Sequence, residues 1–242
     1  ELHFHALPGV DDGPASMEES LDLLRSAQAD GTTQVVATAH VRPGYVTDPA
    51  ELPGRVRELQ AAAGRAGLAV AVRAGGELDH GLAGGLGQDE LDLIAQGPSR
   101  ARWLLVEVPF EDIPETFHEA TAELRGRGFG VLLAHPERSA GAQAAGALER
   151  ELAAGSRLQV NAQSLTGDHG PRARRVGLEL IDRRMATVVS SDAHGPGRPP
   201  LLGAARRALG RHGLSPDAAR ALTVSGPLTL LARGMAPLPL PA

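Results

Sequence analysis

Short apolar runs alternate with amphipathic helical patterns along nearly the whole chain. Two of these runs, Val131–Leu133 and Thr187–Val189, contain only apolar or β-branched residues, which is typical of parallel strands covered on both faces. The predicted strands are Leu2–Leu7, Gln34–His40, Leu68–Glu77, Trp103–Val108, Val131–His135, Leu158–Asn161 and Thr187–Asp192. This pattern favours an α/β fold of the closed or nearly closed (β/α) barrel type, and an open doubly wound sheet is the alternative.

Helix-start signals lie between the predicted strands. Ser16 followed by Glu19 has the spacing of a capping box, in which a side-chain oxygen accepts the first free backbone N–H groups. Further starts are predicted at Asp48–Pro49, Pro114, Pro171, Pro200 and Ser215–Pro216. Proline suits the first helical turn because its missing N–H has no partner there. The predicted strands are therefore joined by helical crossovers.

The length of the chain and its apolar content favour one domain. A chain of 242 residues, 42% of them hydrophobic, suits a single barrel domain spanning residues 1–242. The proline-rich end, Met235–Ala242, is expected to be a docked or loose tail. No apolar run is long enough for a membrane span and no signal peptide is visible, so we expect a cytoplasmic protein.

The charged and sulfur-containing residues narrow the chemistry. The absence of cysteine excludes a thiol nucleophile and a thiolate metal site. All 24 basic residues are arginine, so any side-chain cation that grips a phosphate must be a guanidinium, whose fork suits two oxygens at once. The net charge of −5 and the lack of a long basic run argue against a nucleic-acid partner.

Histidines and carboxylates recur at the ends of the predicted strands. In a βα barrel the active site forms where the carboxyl ends of the strands meet the following loops. The candidate metal ligands at this rim are His3, His5, Asp12, His40, Glu77, Glu107, His135, Asp192 and His194. All offer nitrogen or oxygen donors, which suit zinc, manganese or iron. A single strand-end histidine more often makes an ordinary hydrogen bond, but the repetition favours a metal centre.

The remaining histidines and one neighbouring aspartate are assigned no metal role. His80, His118, His169 and His212 lie in predicted helices or loops and are expected at the surface. Asp11 competes with Asp12 for a place in the ligand set and is interpreted as a loop-capping residue. The four candidate carboxylates would repel one another and take up protons without cations. Divalent ions would make the site attractive to an anion such as phosphate.

Three arginines follow candidate ligands closely in the sequence. Arg42, Arg138 and Arg198 lie just beyond His40, His135 and His194, respectively, so we expect them near a substrate bound on the metals. A solvated surface position is the alternative for each. Prolines near Arg138 and Arg198 stiffen their loops and favour these two.

The order of these motifs resembles the PHP (polymerase and histidinol phosphatase) superfamily, and more narrowly its bacterial capsule- and exopolysaccharide-type protein-tyrosine phosphatases. The motifs are Leu2–His5, Pro8–Gly13, Ala37–His40, Gly75–Glu77, Val106–Glu107, Ala134–Arg138 and Ser190–His194. The resemblance spans nearly the whole chain. It implies a distorted (β/α)7 TIM-like barrel with three divalent metal ions, manganese (Mn) above all, with iron (Fe) or zinc (Zn) as alternatives.

The resemblance also implies a role for each residue. It assigns one metal to His3, His5, Glu77 and Asp192. It assigns a second to Glu107 and His135 with Glu77 bridging, and a third to Asp12, His40 and His194. Arg138 and Arg198 match the arginines that hold the phosphoryl group, and the implied partner is the phosphotyrosine tail of a bacterial tyrosine kinase in polysaccharide biosynthesis. Two departures are Glu1, where relatives carry Asp, and Val41, where they often carry a polar residue.

The predicted reaction is phosphoester hydrolysis by a metal-bound hydroxide, with Arg138 and Arg198 offsetting charge on the phosphoryl oxygens. Asp192 or a metal-bound water could protonate the leaving group. One alternative is a phosphatase for a small phosphate ester, such as histidinol phosphate or a nucleotide; the scarcity of aromatic residues argues against a nuclease that stacks single-stranded DNA. Two further alternatives are a non-catalytic metal-binding regulatory module and a barrel without metal.

Overall fold

Parallel strands and helices alternate in the computed structural model, which describes residues 1–143 and 146–235. The strands are β1 Gln34–Ala37, β2 His40–Val41, β3 Ala71–Ala74, β4 Glu77–Leu78, β5 Trp103–Glu107, β6 Gly130–Ala134, β7 Arg157–Asn161 and β8 Ala186–Ser190. All pairings between these strands are parallel. The expected α/β class with parallel sheets is confirmed.

The strands form two hydrogen-bonded sheets. One contains β1 and β3, and the other has the order β2-β4-β5-β6-β7-β8. Because neighbours run in the same direction, their carboxyl ends lie along one edge of each sheet. Side chains that close these strands can therefore meet on one side of the molecule.

Ten α-helices connect or cover the strands. They are α1 Met17–Ala29, α2 Leu52–Arg65, α3 Gln88–Ile94, α4 Glu115–Gly126, α5 Ala147–Ala153, α6 Ala162–Thr166, α7 Gly170–Asp182, α8 Leu202–His212, α9 Pro216–Arg220 and α10 Gly226–Arg233, counted over the described residues. The Ser16 hydroxyl accepts the backbone N–H of Glu19, and Ser215 caps α9 in the same way. Pro49 begins a short 3-10 turn that leads into α2 at Leu52. None of these helices is both long enough and apolar enough to cross a bilayer.

Three predicted strands differ in the structure. The predictions Gln34–His40 and Leu68–Glu77 were too long, since each region is divided into two short strands. Gly75 and Gly76 lie at the second division, where an added Cβ would approach Val36 Cγ1 to 2.4 Å and Val41 Cγ2 to 2.7 Å. The chain passes so close to its neighbour here that only glycine fits.

The prediction of a strand at Leu2–Leu7 is wrong. This segment forms only isolated β-bridges, from Phe4 to Ala37 and to Ala193. Its backbone is nevertheless bonded on both sides. On one side Val36 and Thr38 donate to the carbonyls of Glu1 and Phe4 at 3.0 and 2.9 Å. On the other side Asp192 N donates to His3 O at 3.0 Å, and His5 N donates to Ala193 O at 2.9 Å. The first five residues thus lie between β1 and the segment that follows β8.

The apolar core lies between the strands and the helices that cover them. A second, smaller cluster is built from side chains on several strands together with the end of the described chain: Leu2, Val36, Trp103, Leu105, Leu132, Ala134, Val188, Leu230 and Met235. Trp103 Nε1 donates to Leu230 O at 3.1 Å, which ties α10 to β5. Met235 is buried, and the rest of the predicted tail lies outside the described residues.

A buried polar network joins α4 to α5, away from the strand ends. The Glu151 carboxylate accepts from His118, Thr121, Arg125 and Ser156 at 2.7–2.9 Å. The expected surface position of His118 is therefore wrong, because its side chain is buried against Glu151. The helical spacing alone could not reveal this, since the partner lies on another helix.

Replacing Glu151 by Gln should lower the free energy of unfolding by about 3 kcal/mol, because the buried Arg125 would lose its counter-charge. Burial opposes ionisation of Glu151, but His118 and Arg125 outweigh it and lower its pKa below the ordinary 4.5. A lowered folded pKa stabilises the fold above the ordinary value, and this contribution disappears as the pH falls through the folded value. The difference between the two proteins should therefore shrink below about pH 4.5 in denaturant titrations.

Glu115→Gln is the matched control, since Glu115 pairs with Arg150 on the exposed surface. Solvent screens such a pair, so little change is expected. Equal losses in both variants would contradict the importance of the buried network.

Candidate metal centre

The structure brings the nine candidate ligands into one cluster at the carboxyl ends of the strands. Four groups of three or four donors each have their donor atoms within 4.8 Å of one another: His5, Asp12, His40 and His194; His3, His5 and Asp192; His3, Glu77 and His135; and His40, Glu77 and Glu107. All nine are buried except Asp12. The geometry therefore offers several adjacent sites rather than one.

The two histidines of the first segment lie close to each other and to two carboxylates. His3 Nε2 lies 3.1 Å from His5 Nε2, and each of these nitrogens lies 3.2–3.4 Å from Glu77 Oε2 and from Asp192 Oδ1. Ligands about 2.0–2.1 Å from a tetrahedral ion are roughly 3.3–3.4 Å from one another. These five distances therefore match the spacing of neighbouring ligands on a divalent ion; His3, His5 and Asp192 form one close group, and Glu77 belongs to the adjacent groups.

The tautomers of both histidines leave these nitrogens free to bind an ion. His3 Nδ1 lies 3.1 Å from Gln159 Oε1, and His5 Nδ1 lies 2.7 Å from Asp11 Oδ2. Since both partners are acceptors, Nδ1 carries the proton in each neutral ring, and each Nε2 presents a lone pair. Two lone pairs facing each other at 3.1 Å repel unless a cation or a proton lies between them.

The group around Asp12 is the most open part of the cluster. Asp12 Oδ1 lies 3.2 Å from His194 Nε2 and 3.4 Å from His40 Nε2. His194 Nδ1 donates to the Asp192 carbonyl at 2.9 Å, so its Nε2 is again available. The neighbouring imidazoles of His194 and then His40 lower the pKa of Asp12 far below its ordinary value. The carboxylate is therefore ionised and ready to share in binding a cation.

Glu77 joins the remaining donors. Its Oε1 lies 2.9 Å from His135 Nε2, and its Oε2 lies 3.1 Å from His40 Nδ1. Glu107 Oε2 is 4.0 Å from the same His40 nitrogen. The close groups place Glu107 with His40 and Glu77, and His135 with His3 and Glu77. Burial and then the charge of Glu77 raise the pKa of Glu107 to about 7, and the nearby Arg42 offsets them only in part.

Unsatisfied buried atoms also fit a metal. Among the described residues, the buried atoms Glu77 Oε2, His40 Nδ1, His135 Nδ1 and His194 Nε2 make no hydrogen bond of good geometry. Buried polar atoms seldom lack a partner, and an ion is one of the accepted reasons. The residues present therefore suit divalent ions in their donor chemistry, spacing and unsatisfied atoms.

Two of the candidate ligands have left-handed backbones. His135, directly after β6, has φ 37°, and Asp192, after β8, has φ 53°. This conformation costs a side-chain-bearing residue about 1 kcal/mol or more and is found preferentially at functional sites. It turns both side chains at the strand ends toward the cluster.

The three candidate arginines lie around the cluster. Arg198 Nη2 and Arg138 Nη1 both donate to Asp192 Oδ2, at 2.6 and 3.1 Å. Arg42 Nη1 lies 3.5 Å from Glu107 Oε2 and is more exposed. Each guanidinium retains donors beyond those used by the carboxylates, so an anion at the cluster could be gripped by more than one arginine.

Sequence analysis missed the residues that orient the ligands. Gln159 and Asn161 lie two apart in β7 and so share one face of the strand; Gln159 Nε2 donates to Asn161 Oδ1 at 2.8 Å, and Asn161 Nδ2 donates to Asp192 Oδ2 at 2.7 Å. Two polar residues on one face of a buried strand were the available signal. Asp11 caps its loop through Gly13 N as predicted, but it also holds His5 and the backbone N–H of His40.

Glu1 and the other histidines lie near or outside this cluster. The Glu1 carboxylate accepts the backbone N–H of Ser191 at 2.9 Å, beside Asp192. His212 pairs with Asp182 on the surface, and His169 Nδ1 lies 3.0 Å from the Ser164 hydroxyl. Burial, followed by the charge of Arg138, lowers the pKa of His169 to about 4.

Replacing Gln159 by Leu should weaken metal binding by about 10- to 100-fold, because His3 would lose the acceptor that fixes its tautomer. Metal content after dialysis against a graded chelator series would measure the change. Gln60→Leu is the control, since Gln60 bonds only to the backbone of Val70 and Val72. Equal metal retention by the two variants would show that His3 is oriented without Gln159.

The fold and the cluster define a class of protein: an α/β scaffold whose parallel strand ends carry a dense set of nitrogen and oxygen donors for divalent ions. Residues 1–232 match the model of the family described as capsular polysaccharide synthesis, CpsB/CapC. The chain belongs to this family.

Individual relatives agree with the family assignment. The chain is 32% identical over 206 residues to CapC of Staphylococcus aureus, covering 84% of this chain and 79% of that protein. It is 26% identical over 196 residues to the tyrosine-protein phosphatase YwqE of Bacillus subtilis, covering 80% and 76%. The solved structures of YwqE and of CpsB from Streptococcus pneumoniae are described as those of metal-dependent tyrosine phosphatases. One chain among them matches this protein with a TM-score of 0.84 at 24% identity, over 100% of this chain and 99% of the other.

Proposed function

We propose that this protein is a metal-dependent protein-tyrosine phosphatase that acts on phosphotyrosine in the tail of a bacterial tyrosine kinase. The observation that carries the proposal is the four-atom group of His3, His5, Glu77 and Asp192 beside two arginines that meet on Asp192. It combines a site for a divalent cation with donors for a phosphoryl group. The relatives named as tyrosine-protein phosphatases support the same activity.

We propose three divalent ions, with manganese the preferred metal. His3, His5, Glu77 and Asp192 would hold one ion, Glu107, His135 and Glu77 a second, and Asp12, His40 and His194 a third. Bound divalent ions would supply an activated water for attack and would neutralise charge on the phosphoryl oxygens. The four groups of close donors support more than one ion.

Arg138 and Arg198 are proposed to bind and orient the phosphoryl group, with Arg42 assisting from the rim. Their planar forks donate to two oxygens at once and would offset the charge that grows on those oxygens during displacement. Asp192 holds both forks in position before substrate arrives, since its Oδ2 accepts from each of them. This shared contact supports the proposal that the two arginines act together on one phosphoryl group.

Asp192 is more suited to hold cations than to donate a proton. Burial disfavours its charge, but His3, His5, His135 and Arg198 outweigh burial and keep its pKa well below the ordinary value. An ionised carboxylate cannot serve as the acid. The other predicted proton donor, a water at the metal site, would therefore be favoured. A phenolate is a good leaving group and needs little protonation.

We also propose that residues 1–242 form a single domain and that the strands, together with the first five residues, form one distorted (β/α)7 TIM-like barrel of the PHP type. The hydrogen bonds of residues 1–5 to both β1 and the segment after β8 support this arrangement.

A kinase tail as substrate would place the protein in the cytoplasm, where ATP-dependent phosphorylation occurs.

The deciding experiment pairs metal analysis with substrate comparison. We expect two to three divalent ions per chain and hydrolysis of a phosphotyrosine peptide that manganese supports and a chelator abolishes. Histidinol phosphate and a nucleotide monophosphate should be poorer substrates. If the protein binds metal but prefers a small phosphate ester, the tyrosine-phosphatase assignment is replaced. Metal binding without turnover would favour a regulatory module. If neither metal binding nor turnover is found, the metal centre is refuted.

A further inference from the structure

The few aromatic side chains of this protein are divided between the core and the candidate metal centre. The sequence has one Trp, one Tyr and four Phe. Four of these six are fully buried: Phe4, Trp103, Phe117 and Phe129. The other two, Tyr45 and Phe110, are 41% and 43% exposed. Both exposed rings stack on candidate metal ligands.

The two rings have matching surroundings. Tyr45 lies over His40, with ring centres 5.4 Å apart and planes 17° apart. Phe110 lies over His135, with centres 5.5 Å apart and planes 5° apart. Because His40 and His135 contact the two oxygens of Glu77, each ring lies one imidazole away from that central carboxylate. The exposed rings therefore flank the cluster that would hold the ions.

Each ring also lies beside an arginine proposed to bind phosphate. Arg138 Cζ is 4.8 Å from the centre of Phe110, and Arg42 Cζ is 5.8 Å from the centre of Tyr45. Backbone bonds hold these rings near the same loops, since Ala140 N donates to Phe110 O at 2.7 Å and Tyr45 N donates to Arg42 O at 3.2 Å. The backbone of each aromatic residue is thus held close to the loop that carries its arginine.

We infer that Tyr45 and Phe110 form an aromatic mouth that selects aryl over alkyl phosphate esters by packing against the ring of the leaving group. The inference rests on the proposed phosphatase function. In an aryl phosphate a single oxygen separates phosphorus from the ring, so a phosphoryl group on the arginines places that ring beside Tyr45 or Phe110. Alkyl phosphates have no π face at this position, and aromatic pairs gain energy beyond simple burial.

The test compares substrates on single variants. Tyr45→Ala and Phe110→Ala should each lower kcat/KM for a phosphotyrosine peptide by about five- to tenfold, mainly through KM, the size expected of one aromatic contact. The matching phosphoserine peptide and inhibition by inorganic phosphate should be unchanged, as should metal content. Tyr45→Phe should retain the wild-type ratio, because the ring remains.

Leu228→Ala is the matched control, since Leu228 is 47% exposed but lies with Thr33 and Gln34 at the amino-terminal end of β1. An equal loss of kcat/KM on both peptides would mean that the rings only support His40 and His135. No loss of kcat/KM on either peptide would mean that the rings contact no substrate. Either result overturns the inference. If the wild-type protein hydrolyses neither peptide, the proposed function fails. Calorimetric binding of phenyl phosphonate against methyl phosphonate then tests the mouth separately, and equal affinities would overturn it.

Discussion

Glu77→Gln should reduce hydrolysis of the phosphotyrosine peptide by at least about a thousandfold, equivalent to roughly 4 kcal/mol in the activation barrier. Glu77 is fully buried, and its two oxygens approach nitrogens of four histidines: His3, His5, His40 and His135. Gln has the same shape but no charge, and its amide nitrogen cannot bind a cation. The variant should therefore lose metal content and kcat together.

Asp79→Asn provides the control for this prediction. Asp79 lies just after β4, two residues from Glu77, but its carboxylate caps a local turn by accepting from Gly81 N. This variant should keep its metal and its activity. A Glu77→Gln protein with normal metal content and wild-type kcat would refute the central role assigned to Glu77.

Arg198→Lys should lower kcat/KM for the same peptide by about 100-fold, although the positive charge is kept. Lysine replaces the planar fork by a single ammonium group, and losing a donor aimed at transition-state charge typically costs about 10²–10³ in rate. Arg198 Nη2 donates to Asp192 Oδ2, and Arg198 Nη1 lies 3.7 Å from Asp12. Inhibition by inorganic phosphate should weaken as well, because the same fork would grip the product.

Arg25→Lys is the matched control, since Arg25 pairs with Asp22 on the exposed face of α1. It should behave as wild type in both measurements. If Arg198→Lys retained full phosphate inhibition and full kcat/KM, Arg198 would hold Asp192 in place without contacting the substrate.

The positions of four strands and of six helix starts could be predicted because each depends on local pattern. Continuous apolar runs marked β5 to β8, and proline or serine marked the starts of α1, α2, α4, α7, α8 and α9. The starts of α3, α5, α6 and α10 were not predicted. The same reasoning gave a wrong prediction for the first segment. Leu2–Leu7 is apolar enough for a strand, but its bonds to residues near 36 and 192 give it isolated bridges instead, and such long-range pairing leaves no local trace.

The candidate site was predictable to the same depth. Strand ends pointed to nine side chains that the structure brings together, and their roles as ligands stay predictions. The supporting residues were missed because their partners are remote in sequence: Gln159 lies 156 residues from His3, and Asn161 lies 31 from Asp192. Composition also does not show where the aromatic residues lie. A low aromatic content spoke against a stacking surface, yet Tyr45 and Phe110 lie beside the cluster.

The contact of residues 3–5 with residues 192–193 has a consequence for synthesis. The backbone partners of His3 and His5, Asp192 and Ala193, leave the ribosome almost 190 residues after them. At about 5–20 residues per second, this interval lasts roughly 10–40 seconds. During that time the growing chain carries two neighbouring imidazoles without the carboxylate that completes their group. On the proposed ligand set, a nascent chain therefore holds at most a fragment of the coordination shell until Asp192 has been translated.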